Sequence, residues 1–228
     1  MSAHPFSRLI SASILTFALS AAAQAPLTDW SSDDLKLQFS YPSDLTKADP
    51  EQAMQDGHLT LLGITGGDDP SLAAATRCLR PKLLLQHAAS ATDKTTSTIL
   101  LAELDISCLT PQQQADSTDL LGKMANLVTK APSMSSIAQP ATYTVGTQNV
   151  HMAAAQGKCP IPGANPPEPQ QVYTMGFATN SNNHLLVWYI SSTSVDTLNR
   201  LTKSTVRFGR ADAAPLYPVS VNNSGTAH

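Results

Sequence analysis

The chain has 228 residues, 42% hydrophobic, 14% charged and 5% aromatic, and its 14 Lys and Arg against 17 Asp and Glu give a formal charge of −3. That composition fills one core of ordinary size and excludes disorder along the whole length. No two basic residues are adjacent, so there is no basic stripe and nucleic acid is not an expected partner.

The first residues read as a secretory signal. Arg8 is the positive end, Leu9 to Leu19 is apolar apart from small Ser and Thr, and Ser20-Ala21-Ala22-Ala23 supplies small cleavage-site residues. Cleavage after Ala23 is expected, because the cut after Ala25 would place Pro26 first. The apolar run of about 11 to 15 residues is short of the roughly 20 that span a bilayer. No later segment is long and apolar enough, so no membrane span is expected in the mature protein. Export to the periplasm or the medium follows.

A lead-in over residues 24–34, which holds Trp30 in a polar run, precedes a strand at Leu35 to Tyr41. Three helix starts share one chemistry, a side-chain oxygen that caps the helix and a proline at the first position, where no N–H partner exists. They are Asp49-Pro50, Asp69-Pro70 and Thr110-Pro111. Gly57 ends the first, and the second runs from Pro70 to Arg77. The third is expected as one long helix from Pro111 to Lys130, about 30 Å in length, with Leu120, Leu121, Met124, Leu127 and Val128 on one stripe and Pro132 as its stop. A fourth begins after Ser194, with Val195, Leu198 and Leu201 at helical spacing, Asp196 early and Arg200 and Lys203 late.

Strands are expected at Leu59 to Thr65, Lys82 to His87, Thr98 to Ile106, Ala141 to Val145, Val150 to Ala155, Gln171 to Ala178, Leu185 to Ser191 and Thr205 to Phe208. Leu185 to Ile190 is apolar on both alternating faces, which places it, with Trp188, inside the sheet. Gly146-Thr147 and Asn180 to Asn183 read as hairpin turns. Five prolines between Cys159 and Pro169 make that stretch a surface loop. Consecutive hairpins and amphipathic helices together predict an α+β fold, a largely antiparallel sheet with helices on both faces (an α/β/α sandwich). It is expected as a single domain over 35–209, with 210–228 an irregular or disordered tail.

The entry strand ending in Phe39-Ser40-Tyr41-Pro42-Ser43-Asp44, the central antiparallel strands and the closing strand, helix and Val206-Arg207-Phe208 strand resemble the PsbP-like and Mog-type Ran-binding family of α/β/α sandwich domains over about residues 35–209. The resemblance implies the fold and a bias toward accessory, assembly or binding roles. It transfers no functional residue, and fold alone does not give function.

Export permits disulfides. Cys78 and Cys108 lie just outside the strands at Lys82 to His87 and Thr98 to Ile106, so pairing of those strands would join them. The alternative leaves all three thiols free or gives Cys159 a partner. With Cys78 bonded to Cys108, Cys159 is the odd thiol. Glu103 and Asp105 are expected to pair across strands with Lys82 and Arg80, Pro81 sitting at a bulge. No G-x-S-x-G elbow exists, and Gly63 to Gly67 reads as an ordinary loop. His58, His87, His151, His184 and His228 are scattered. His151 and Met152, adjacent on a strand, point to opposite faces and cannot share a metal. No catalytic residue, metal ligand or cofactor is expected. The sequence reads as an exported, non-catalytic accessory or binding domain of the bacterial envelope, with an unknown protein or small molecule as its ligand. The alternatives are a secreted hydrolase with an unrecognised site and a metal-handling periplasmic protein.

Overall fold

Near-continuous apolar runs build strands that bury two faces, and the computed structural model places such strands, Ser97–Leu104 and His184–Ser192, at the centre of its larger sheet. It describes residues 26–55, 69–90, 92–131, 133–160 and 169–219. The signal segment, the strand expected at Leu59 to Thr65, the Gly63 to Gly67 loop, His58, His228 and most of the proline loop lie outside the described residues.

In chain order the elements are β1 (Leu27–Ser32), β2 (Leu37–Pro42), β3 (Thr46–Ala48), α1 (Pro50–Gln55), α2 (Pro70–Arg77), β4 (Leu79–His87), β5 (Ser97–Leu104), α3 (Pro111–Ala115), α4 (Ser117–Ala125), β6 (Met134–Val145), β7 (Gln148–Pro160), β8 (Pro169–Ser181), β9 (His184–Ser192), α5 (Val195–Thr202), β10 (Thr205–Phe208) and β11 (Ala214–Pro215). One sheet has seven strands in the order β3-β4-β5-β9-β8-β7-β6, and a second has four in the order β1-β2-β10-β11. Every pairing is antiparallel.

The tight turns obey the local chemistry. Asn182 and Asn183 both adopt positive φ, 52° and 65°, as a two-residue hairpin turn between β8 and β9 requires. Gly146 does the same between β6 and β7 at φ 59°. Asp49 Oδ1 accepts from the N–H groups of Glu51 and Gln52, and Asp69 Oδ1 from those of Ser71 and Leu72. Thr110 and Gln113 form a reciprocal capping box.

The two faces of β9 divide the core. Leu186, Trp188 and Ile190 face one cluster, and Leu185, Val187 and Tyr189 the other. On the second face lie Leu72 and Ala75 of α2, Leu120, Leu121, Met124 and Ala125 of α4, and Leu127 and Val128 of the 3-10 turn that follows. On β7 and β8 the sheet residues there are small: Ala153, Ala155 and Ala178. At Gly176 a Cβ would stand 2.1 Å from the Ala125 carbonyl oxygen, so glycine is what lets α4 settle on the sheet. Tyr189 donates its hydroxyl to the Met124 carbonyl at 2.8 Å. Helices lie on both faces of the large sheet, as expected, and on the first face a second sheet packs beside the helix. The four-stranded sheet contributes Leu37, Phe39, Val206 and Phe208 there, and α5 contributes Val195, Leu198 and Leu201. Arg200 of α5 forms a bidentate pair with Asp44, both contacts 2.8 Å, and this hydrogen-bonded guanidinium holds the Asp44 carboxyl below its usual range.

Two sequence expectations are corrected here. The single helix from Pro111 to Lys130 is three pieces: α3, α4 and a 3-10 turn at Asn126–Thr129, with Asp116 (φ −99°, ψ 31°) breaking the first from the second. The run Gln112 to Asp119 has no large apolar side chain to hold a continuous stripe, and Asp, Ser and Thr compete for backbone hydrogen bonds. α3 is docked instead by Gln113, whose amide nitrogen donates to Ser71 O (2.9 Å) and Ser71 Oγ (3.1 Å). The second correction concerns the tail beyond Gly209. β11 pairs with β10, Leu216 N–H donates to Ser204 O and Tyr217 N–H to Thr202 O, both at 2.8 Å. Leu216 is 0% exposed and Tyr217 6%, both within the first core cluster.

Cys78 and Cys108 form the expected disulfide, with Cα atoms 5.6 Å apart. β4 and β5 pair from Leu79↔Leu104 to His87↔Ser97, with a bulge between Pro81 and Leu83 that carries Lys82. A bond spanning 30 residues of sequence contributes about 3 to 4 kcal/mol by the chain-entropy account. Replacing both cysteines with Ala is expected to lower unfolding stability by about 2 to 4 kcal/mol in denaturant titration. Non-reducing peptide mapping should recover the 78–108 linkage, and free thiols at both positions would refute it.

Candidate functional site

The polar side of α4 meets the β6–β7 hairpin across an open groove of about 690 Å³, lined by Ala115, Asp116, Thr118, Asp119, Gly122, Lys123, Asn126, Pro140 and His151. A recess of about 120 Å³ adjoins it, shares Asp116, Asp119 and Lys123, and adds Asp69, Ser71 and Gln112 among its walls. The amphipathic spacing of α4 turns Leu120, Leu121 and Met124 into the core, which leaves Thr118, Asp119, Gly122 and Lys123 on the groove.

Gly122 opens the floor. Its position would bring a Cβ to 3.7 Å from His151 Nδ1, an ordinary contact that would narrow the access to the ring. His151 lies on the helix-facing side of β7 with Ala153, while Met152 is buried in the opposite cluster, as strand alternation requires. Thr142 Oγ1 and His151 Nδ1 are 3.0 Å apart. Burial lowers the His151 pKa from its ordinary 6.5, which keeps the ring neutral in the fold at neutral pH. The Asp119 carboxylate accepts from Lys123 Nζ at 2.7 Å and raises the Lys123 pKa, with Asp69 and Asp116 adding to the same field. On the groove two carboxylates, Asp116 and Asp119, stand against one ammonium, Lys123, and Asp69 adds a third carboxylate in the adjoining recess, an excess of negative charge. Among the described residues no carboxylate bonds His151, so the Thr142–His151 contact lacks the orienting third group of a nucleophilic triad.

The lowered His151 value has a stability consequence. The unfolded chain takes up the proton first, so this contribution is complete above pH 6.5 and is lost as pH falls from there through the lowered folded value. Melting curves should show that decline, and His151→Gln should remove it. Persistence of the same slope in the variant would assign it to another group. The carboxylates Asp44 and Glu103, whose values are lowered, act in a separate window below about pH 4.5.

The expected cross-strand pairs are present: Lys82 Nζ to Glu103 Oε2 at 2.7 Å and Arg80 to Asp105 at 3.3 Å. A third partner was missed. His184 Nδ1 meets Glu103 Oε1 at 2.5 Å, reaching diagonally because Glu103 pairs with Leu186, two residues further along the same face. Burial alone would raise the Glu103 pKa, but the hydrogen bonds from His184 and Lys82 outweigh it. Cys159, the odd thiol, is free and half-buried near the end of β7. Among the described residues no group of three His, Cys, Asp or Glu could hold a metal ion, and no helix is long and apolar enough to cross a membrane.

The fold and groove together define an α+β domain in which an antiparallel sheet carries helices on one face and a second sheet with one helix on the other. No family model and no curated protein matches the chain. Among solved structures, the chain is similar to the solution structure of cyanobacterial PsbP (CyanoP) from Synechocystis sp. PCC 6803, with 12% identity and a TM-score of 0.42 over 82% of this chain and 95% of that one. Two chains that share so little transfer no function to one another.

Proposed function

We propose that the protein is an exported, non-catalytic accessory or binding domain of the bacterial cell envelope that receives a polar ligand or partner segment in the α4 groove. The groove carries this reading: it is open, lined by hydrogen-bonding side chains, and floored by a neutral imidazole behind a glycine. Its excess of carboxylates favours an occupant that presents hydrogen-bond donors or positive charge. The signal-like N-terminus and a disulfide that joins α2 to the turn after β5 support an oxidising destination.

Native purification from the envelope, with and without Thr118→Arg, tests it. Thr118 is exposed on the groove, so an Arg there obstructs it without entering the core. A species that co-purifies with the wild type and is lost from the variant, in a salt-dependent way, is the expected result. Equal recovery from both would place binding elsewhere.

A further inference from the structure

Each sheet ends in two edge strands that meet no further strand among the described residues, and most of these edges are guarded against pairing with another chain. β6 is interrupted by Pro140 and by register shifts, β3 has three residues and leaves an overhang of β4 that carries Arg80, Pro81, Lys82 and a bulge, and β11 has two residues, one of them Pro215. β1 has no such guard. Its pairing with β2 runs without a bulge from Leu27↔Pro42 to Ser32↔Leu37, and it holds no proline and no basic residue. Ser43 N–H donates to Pro26 O at 2.9 Å, so by the alternation of an antiparallel pair Thr28, Trp30 and Ser32 turn their backbone N–H and C=O toward β2. The far side of β2 agrees. Gly209 N–H donates to Lys36 O at 2.7 Å, which turns Gln38 and Ser40 toward β10 and leaves Leu37, Phe39 and Tyr41 for β1. Leu27, Asp29 and Ser31 therefore present their backbone groups to the open edge.

The geometry points to a two-fold dimer in which β1 pairs antiparallel with β1 of a second copy, Trp30 opposite Trp30, so that the four-stranded sheets of the two copies become continuous. Directly opposite residues of an antiparallel pair share a face, so the axis of such a dimer passes through a residue paired with its own copy. Charge selects which residue. An axis at Asp29 sets two carboxylates opposite each other, and one at Ser31 sets Asp29 against Asp33 of the second copy; like charges so placed repel. An axis at Thr28 leaves Ser31 and Ser32 unpaired. An axis at Trp30 sets Asp29 against Ser31 of the second copy and the reverse, and there the edge-facing backbone groups exchange both hydrogen bonds of each pair. Asp29 Oδ2 already accepts from Gln38 Nε2 at 3.2 Å, which leaves Oδ1 to accept from the Ser31 hydroxyl. Trp30, half-buried against the first core cluster, meets its copy in the close position without mutual backbone bonds, Cα atoms about 4.5 Å apart, and each indole covers the other. This surface is independent of the α4 groove.

Sedimentation equilibrium of the exported chain tests it, in a Cys159→Ser background that removes thiol-linked dimers. The parent should show a concentration-dependent monomer–dimer equilibrium in the micromolar range. Ser31→Pro removes an N–H that β2 does not use, a place where an edge strand accepts proline. It should stay monomeric throughout, with an unchanged melting temperature at a dilution where the parent is monomeric too. Ser31→Asp faces Asp29 twice across the axis and should weaken the dimer by at least about tenfold, and Asp29→Lys combined with Ser31→Asp should restore it. A parent that stays monomeric would leave the edge to a strand of another protein and overturn the assignment, as would a dimer that Ser31→Pro leaves intact. A double variant that stays as weak as Ser31→Asp would overturn the Trp30 register.

Discussion

Tyr217→Ala is expected to lose about 3 to 5 kcal/mol of unfolding stability, and a chain that ends at Pro215 more than about 5 kcal/mol, a loss comparable with the whole stability of an ordinary domain of about 5 to 15 kcal/mol. Tyr217 is buried against Tyr143, with ring centroids 5.5 Å apart, and Phe177, at 6.0 Å. The Tyr143 hydroxyl donates to the Leu216 carbonyl, and burial drives the Tyr143 phenol pKa upward. Residues 214–217 therefore tie β6, β8, α5 and β10 together from beyond the boundary that the sequence suggested. Denaturant titration of Tyr217→Ala beside the exposed control Arg210→Ala, which should stay within about 0.5 kcal/mol, measures the difference. Equal small losses in both would restore a core complete by Gly209.

Trp188→Ala should cost about 3 to 5 kcal/mol, the scale for truncating a large buried aromatic. Trp188 is 0% exposed and meets Phe208 edge-on at 6.3 Å across the two sheets. Its indole Nε1 has no hydrogen-bond partner among the described residues. A buried unmade donor costs about 1 to 3 kcal/mol, so Trp188→Phe removes a penalty together with some packing and should lose well under half of what Ala loses. Urea midpoints of the two variants decide this. A Phe variant as damaged as the Ala variant would mean that shape filling alone governs the site.

Elements with strong local signals were legible. Leu185 to Ser191 declared a two-faced strand, Asp69-Pro70 and Thr110-Pro111 declared helix starts, and Asn180 to Asn183 declared a turn, which falls on its last two residues. Edge elements were not. β1 places Trp30 opposite Phe39 within a polar run, because an edge strand of a half-covered sheet needs few apolar residues to hold its pairing. β11 pairs only two residues, and Leu216 and Tyr217 gain their burial from long-range contacts that leave no period. The groove was hidden for a related reason: Thr118, Asp119 and Lys123 read as the solvated side of a helix, and only the β6–β7 hairpin beside them makes that side concave. The Asp119–Lys123 spacing and a glycine inside a helix were the signals available.

The most direct measurement of the binding claim is site-specific photocrosslinking in the native envelope. A benzophenone side chain at Thr118, on the groove, is compared with one at Lys94, which does not line it. The account predicts a discrete adduct from position 118, absent from position 94 and suppressed when Asp116 and Asp119 are both changed to Asn. Adducts of equal yield from both positions, or an adduct at 118 indifferent to the loss of both carboxylates, would contradict it.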